Sequence, residues 1–238
     1  MATLKGKVMA AMAAVQEDNP ARAMRGPAPR GRKIACFVAG TRLATESGEV
    51  AVQSLRVGDR VRAVLTGRWE TVNWIGHRIV DCVRHPRKEQ VWPVKVAAHA
   101  FGPCQPGRDL WLSPNHGVYV NDALIPVGLL VNGTSVRQIR LPAVAYWHVE
   151  LPRHEVILAE GMPAESYLDT GDRTDFLHGG DFTTLFPAFA ARRNDSEACA
   201  PLVLDGPDLA AARAMLAERV AQGSADTSKA ENAPSSGP

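Results

Sequence analysis

No stretch of this 238-residue sequence approaches the roughly 20 consecutive apolar residues that a helical membrane span requires, so a spanning helix is excluded. Cysteine is sparse: Cys36, Cys82, Cys104 and Cys199 are too few and too scattered for a disulfide framework, which implies at least one free thiol. Charge of one sign is lacking too, with 27 Lys and Arg against 25 Asp and Glu. The small excess is local, since residues 1–35 hold seven basic side chains against two acidic ones. Such a segment reads as a solvated basic arm, and nucleic acid is not an expected partner. Residues 8–15 (VMAAMAAV), behind Lys5 and Lys7, look like the apolar centre of a secretion signal. QEDNP follows where a small-residue cleavage site would stand, so no cleaved signal is read, and cytoplasmic and exported locations both stay open.

Helical periodicity is scarce. Leu4, Val8, Met12 and Val15 allow a short helix over residues 3–16, and residues 19–33 have the Pro, Gly and Arg content of a linker. Pro207 and Asp208 open a second helix whose face is Leu209, Ala212, Leu216 and Val220, and Gly223 ends it. Between these, runs of Val, Ile, Leu, Thr and Trp are punctuated by Gly, Pro, Asn and Asp every 8–12 residues, an all-β pattern. The expected strands are residues 41–45, 49–52, 60–65, 70–79, 91–96, 110–113, 118–120, 123–126, 136–141, 145–151 and 155–159. Ser47-Gly48 and Asn121-Asp122 are hairpin-turn candidates because these residue types tolerate left-handed backbone. The chain thus divides into a basic arm (1–33), a β domain (34–168), an extended covering loop (169–205), an amphipathic helix (206–223) and a disordered tail (224–238).

The β domain contains a repeat. Residues 50–61 (VAVQSLRVGDRV) align without gaps on residues 125–136 (IPVGLLVNGTSV), with identities at Val52/Val127, Leu55/Leu130, Gly58/Gly133 and Val61/Val136. A duplicated β unit that cannot bury its apolar face alone buries it against its copy, often about a pseudo-two-fold axis. Cys36 lies upstream of the first copy and Ser113-Pro114-Asn115-His116 leads into the second, so a two-fold would bring a thiol and an imidazole together.

These residues carry a resemblance. ACFVAGTRLATESGEVAVQSLRVGDRV, LWLSPNHGVYVNDALIPVGLLVNG and YWHVELPRHEVILAEGMPAESYL resemble the opening, second and late blocks of Hint (hedgehog/intein) domains, of the bacterial Hint_2 type, over residues 34–168. The resemblance implies a Hint-type horseshoe of short strands with an internal pseudo-two-fold repeat, flanked by helical or disordered termini. It further implies autocatalysis without a cofactor or metal, in which Cys36 attacks the carbonyl of the scissile residue Ala35 by an N-to-S acyl shift. His116 matches the histidine that assists the departing nitrogen, Ser113 a hydroxyl beside the scissile peptide, and Asn115 a further amide donor. His148 and His154 fall near the acid/base positions of the late block. Inteins close on His-Asn, whose Asn cyclises; Glu165-Ser166 stands there instead and no His-Asn dipeptide occurs in the chain. Cleavage or transfer is therefore implied rather than full splicing. The implied partners are the chain's own N-terminal segment as intramolecular substrate and a small nucleophile, water or a thiol.

Three rivals compete with this reading. One is a catalytically inactive Hint-like scaffold serving as a binding or surface module, since fold does not guarantee chemistry. Another places zinc on Cys82, His85, His99 and Cys104, although their gaps match no zinc motif. The third is a thiol hydrolase acting on outside substrates, for which no orienting Asp is evident.

Overall fold

The computed structural model describes residues 35–168 and 198–231. Fourteen short strands are named in chain order: β1 Phe37–Val38, β2 Arg42–Thr45, β3 Gly48–Ala51, β4 Arg60–Arg62, β5 Trp69–Thr71, β6 Trp74–Asp81 and β7 Val94–Val96. They continue as β8 Leu110–Leu112, β9 Gly117–Val120, β10 Ala123–Pro126, β11 Val136–Gln138, β12 Ala143–Glu150, β13 Val156–Ala159 and β14 Met162–Glu165, and helix α1 spans Gly206–Glu231. One sheet has the order β11-β7-β8-β1-β12-β6 and the other β10-β9-β14-β13-β2-β4-β5, with β3 paired to β2. Phe37, Leu110, Leu112 and Trp147 join the main core, which also takes Leu43, Val61, Ile125 and Ile157. The six-stranded sheet carries a second cluster containing Cys36, Val38, Val144 and Tyr146.

The repeat seen in sequence is a repeat in space. Strands β2 and β9, and β3 and β10, occupy residues 75 positions apart, and each pair leads into a 3-10 turn, Val52–Ser54 or Val127–Leu130. Backbone bonds match as well. Val52 N–H donates to the Thr41 carbonyl at 2.8 Å and Val127 N–H to that of His116 at 2.9 Å. Thr41 N–H donates to the Val38 carbonyl, and His116 N–H to the Ser113 carbonyl, both at 3.1 Å. Gly58 and Gly133 both have positive φ, +98° and +75°, where a side chain would be strained. Phe37 pairs with Leu112, which is its own equivalent in the other copy, so the local two-fold passes between β1 and β8.

Several boundaries differ from the sequence reading. Residues 70–79 are two strands, because the chain changes sheets at Val72-Asn73: Val72 N–H bonds the Asp59 carbonyl and Asn73 N–H the Glu150 carbonyl, both at 2.8 Å. Strands β1 and β14 escaped the reading; β1 has two residues, both buried, and offers no alternation to detect. Three 3-10 turns, the third at Lys88–Gln90, interrupt a region read as free of helix. Helix α1 continues through Gly223 to Glu231, so residues 224–231 are helical and not a disordered tail. A glycine inside a helix costs about 1 kcal/mol and does not stop one by itself. Of the covering loop, residues 198–205 run beside β10: Leu124 N–H donates to the Pro201 carbonyl and Val203 N–H to the Leu124 carbonyl, both at 2.9 Å. The readings for residues 1–33, including a helix at 3–16, and for 169–197 lie outside the described residues. No described helix is long and apolar enough to cross a membrane.

Candidate active site

Cys36 directly precedes β1, one of the two central strands of its sheet, and is fully buried. Two bonds tie it to the end of β8. Its backbone N–H donates to Ser113 Oγ at 2.7 Å, and Ser113 N–H donates to the Cys36 carbonyl at 2.9 Å. The Cys36 nitrogen belongs to the Ala35–Cys36 peptide, so the Ser113 hydroxyl touches the nitrogen that an acyl shift would release. Ser113 is itself fully buried, which strengthens this bond against competition from water.

His116 follows one turn after Ser113 and is also fully buried, its ring 4.3 Å from that of Phe37. Nε2 lies 3.2 Å from the Glu165 carbonyl oxygen. A carbonyl only accepts, so Nε2 carries the proton of the neutral ring and Nδ1 keeps its lone pair. Nδ1 is buried with no hydrogen-bond partner among the described residues. Burial pushes His116 down to about 4, although the Glu165 carboxylate and the backbone groups of Glu165 and Cys36 favour the charged ring. His116 is therefore a neutral imidazole at physiological pH, and the backbone of Cys36 is among its neighbours.

His148, on β12, completes an imidazole pair with its ring 5.4 Å from that of His116. Its Nδ1 accepts Val149 N–H at 3.1 Å. Burial, with His116 and His154 adding to it, holds His148 well below the ordinary histidine value. His154 stands apart from this stack: Nδ1 accepts the Cys199 N–H at 3.0 Å, and Nε2 is 3.6 Å from Glu165 Oε2. Asn115 is half-buried in the turn and has no side-chain hydrogen bond among the described residues. Ala35, half-buried, directly precedes Cys36. Ser113 thus touches the Ala35–Cys36 peptide, the rings of His116 and His148 lie 4.3 and 6.0 Å from that of Phe37 on β1, and His154 stands near them beside Glu165.

Glu165 is the residue that sequence reasoning passed over. Its Oε1 accepts Gly117 N–H at 2.6 Å, while its carbonyl faces His116. Burial alone would raise its carboxyl, but His154, His116 and the Gly117 N–H outweigh burial and bring it below the usual value. By its type Glu cannot cyclise as the Asn of an intein's late block does, and its part as an acceptor shows only once β14 lies beside β9. Ser166 turns away, its Oγ accepting Glu155 N–H at 2.9 Å.

The structure does not gather Cys82, His85, His99 and Cys104: no group of three or more His, Cys, Asp or Glu suited to a metal ion occurs among the described residues. Cys82 is buried with its thiol pushed up to about 11 by desolvation and then Asp81. His85 Nδ1 turns to the Arg87 carbonyl at 2.8 Å, and His99 Nδ1 accepts the Cys104 N–H at 2.9 Å.

Residues 35–171, more than half of the chain, match the Hint domain family, type Hint_2, and the chain belongs to that family. Solved structures similar to it include a DnaB intein from Synechocystis, at 10% identity and TM-score 0.39, covering 57% of this chain and 100% of that one. A bacterial intein-like domain from Clostridium thermocellum is similar at 16% identity and TM-score 0.40, covering 56% and 99%. The zinc-bound splicing domain of the Msm DnaB1 intein is similar at 19% identity and TM-score 0.39, covering 54% and 98%. No curated protein matches the chain significantly.

Proposed function

We propose that this Hint domain processes its own chain at Ala35–Cys36. The observation that carries the reading is the 2.7 Å bond from the Cys36 N–H to the buried Ser113 hydroxyl, beside a buried neutral imidazole. An amide resists attack because its nitrogen leaves poorly, and a group at that nitrogen answers this difficulty. Cys36 Sγ bonds to the Ala35 carbonyl carbon, the Ala35–Cys36 C–N bond breaks, and the thiol proton ends on the departing nitrogen, leaving a thioester and a free amine. His116 carries that proton, and the Ser113 hydroxyl orients the nitrogen as it changes from amide to amine. Asn115 supplies an amide donor at the turn, while His148 and His154 support the charge balance around His116. Water or a thiol then takes the acyl group, separating residues 1–35 from the domain. Glu165-Ser166 in place of His-Asn limits the chemistry to cleavage or transfer.

Intact-mass analysis of the purified chain, with and without hydroxylamine or a small thiol, tests the reading. The expected result is a species beginning at Cys36 that the nucleophile increases, and that is absent from Cys36→Ala and His116→Ala. Equal fragmentation of the Cys36→Ala protein would instead indicate ordinary proteolysis of the arm. A wild-type chain that stays whole under all conditions would favour the inactive binding module.

A further inference from the structure

We propose that Glu165 is a positioning residue for His116, fixing which ring nitrogen is left open for the reaction. The inference rests on the reading of His116 as the proton carrier, and extends the site to a residue that touches no reacting atom. Two contacts from Glu165 grip consecutive residues. The carbonyl of Glu165 takes His116 Nε2 at 3.2 Å, and its Oε1 takes Gly117 N–H at 2.6 Å. The first contact orients the ring and assigns its proton to Nε2; the second holds the backbone on which the ring is mounted. Nδ1, buried without a hydrogen-bond partner among the described residues, is the nitrogen left for Cys36.

The space around the clamp is fitted to a carboxylate. A Cβ placed on Gly117 would stand 3.0 Å from Glu165 Oε1, 3.1 Å from its Cδ and 3.3 Å from the Leu124 Cβ, so a side chain at 117 would push the carboxylate by a few tenths of an ångström. His154 stands on the other side of the carboxylate. His154 accepts the Cys199 N–H at Nδ1, and its Nε2 lies 3.6 Å from Glu165 Oε2. The segment that returns at residue 198, beyond the family-matched region, therefore reaches the site through Cys199, His154 and Glu165.

Two measurements separate this inference from the processing reading beneath it. In the full-length Cys36→Ala chain, which does not cleave under the processing reading, imidazole nitrogen chemical shifts give the tautomer of His116. The expected result is an Nε2-protonated ring in that background, retained with Glu165→Gln, whose amide oxygen still accepts Gly117 N–H. Alanine at 165 keeps the carbonyl but loses the grip on Gly117 N–H that holds the ring against it, so loss of the single tautomer is expected with Glu165→Ala and with Gly117→Ala. In the chain with Cys36 intact, Glu165→Ala slows cleavage by about tenfold or more, the scale of a small misplacement of a reacting group, and Glu165→Gln restores most of the rate. An Nδ1-protonated His116 before any change at 165, or a Glu165→Ala protein with unaltered tautomer, would overturn the inference even if cleavage at Cys36 proceeds. The expected pattern, a single tautomer lost with Glu165→Ala and kept with Glu165→Gln, together with no cleavage in any variant would remove the processing reading and leave the positioning of His116 intact.

Discussion

Ser113 accepts the Cys36 N–H where water does not reach, so deleting its hydroxyl strands a buried donor. Ser113→Ala is expected to lower stability by about 1–3 kcal/mol, measured by urea unfolding in the Cys36→Ala background so that cleavage does not interfere. His116 gives a pH dependence whose sign is fixed. Its native value is about 4 against an ordinary 6.5, so between these pH values the unfolded chain binds more protons. Stability is fully present above pH 6.5 and falls as pH drops toward 4, by up to about 3 kcal/mol from this one group. His148, lowered for the same first reason, acts in the same direction. Unfolding midpoints flat across that window would contradict the burial of neutral rings. At this scale the sequence singled out Cys36, Ser113 and His116 by side-chain type, and the structure brings them close together. The sequence hid Glu165, whose role is shared between a main-chain carbonyl and a carboxylate, because main-chain groups leave no mark in composition or spacing.

Hairpins set the edges of the site. The turn between β13 and β14 is Glu160-Gly161, with φ of +51° and +81°, and a Cβ on Gly161 would come within 2.7 Å of the Cys104 carbonyl oxygen. Glu160 binds Arg42 N–H through Oε1 and Arg108 Nε through Oε2, linking this turn to β2 and to the loop before β8. Gly161→Ala is therefore expected to destabilise the fold by about 2 kcal/mol or more, since the residue is both in left-handed backbone and in steric contact; thermal unfolding checks it. Hairpins whose turn residues tolerate left-handed backbone were legible, as at Asn121-Asp122, where both residues have positive φ. Elements that escaped were those too short for a period, such as β1, or spanning a change of sheet, such as β5 and β6. Register in those places is chosen by distant partners rather than by local pattern.

Helix α1 belongs to the body of the molecule. Leu209, Ala212 and Leu216 are buried in the main core, and Arg213 Nε donates to the Leu129 carbonyl at 2.8 Å, in the second 3-10 turn. Leu216→Ala is expected to cost about 2–5 kcal/mol of stability. Faster amide exchange at Leu124 and Val203, whose pairing holds residues 198–205 to β10, would show that the segment loosens as a unit. The apolar face of this helix was readable from periodicity, and the repeat was readable from four identities that prove to be buried side chains or left-handed glycines. Its docking against the second copy was not readable, because nothing in the sequence of a helix names the surface it meets.

The nitrogen released by an acyl shift at Cys36 would remain held between β8 and β12, because β1 is hydrogen-bonded to both. An amine so tethered stays beside the thioester it has just left, and intramolecular partners of this kind react as though present at about 10⁵–10⁸ M. Return to the amide is thus always at hand, and net scission is governed by how quickly an outside nucleophile drains the thioester. The fold would behave as a reversible latch, with the supply of that nucleophile deciding whether the arm is kept or let go.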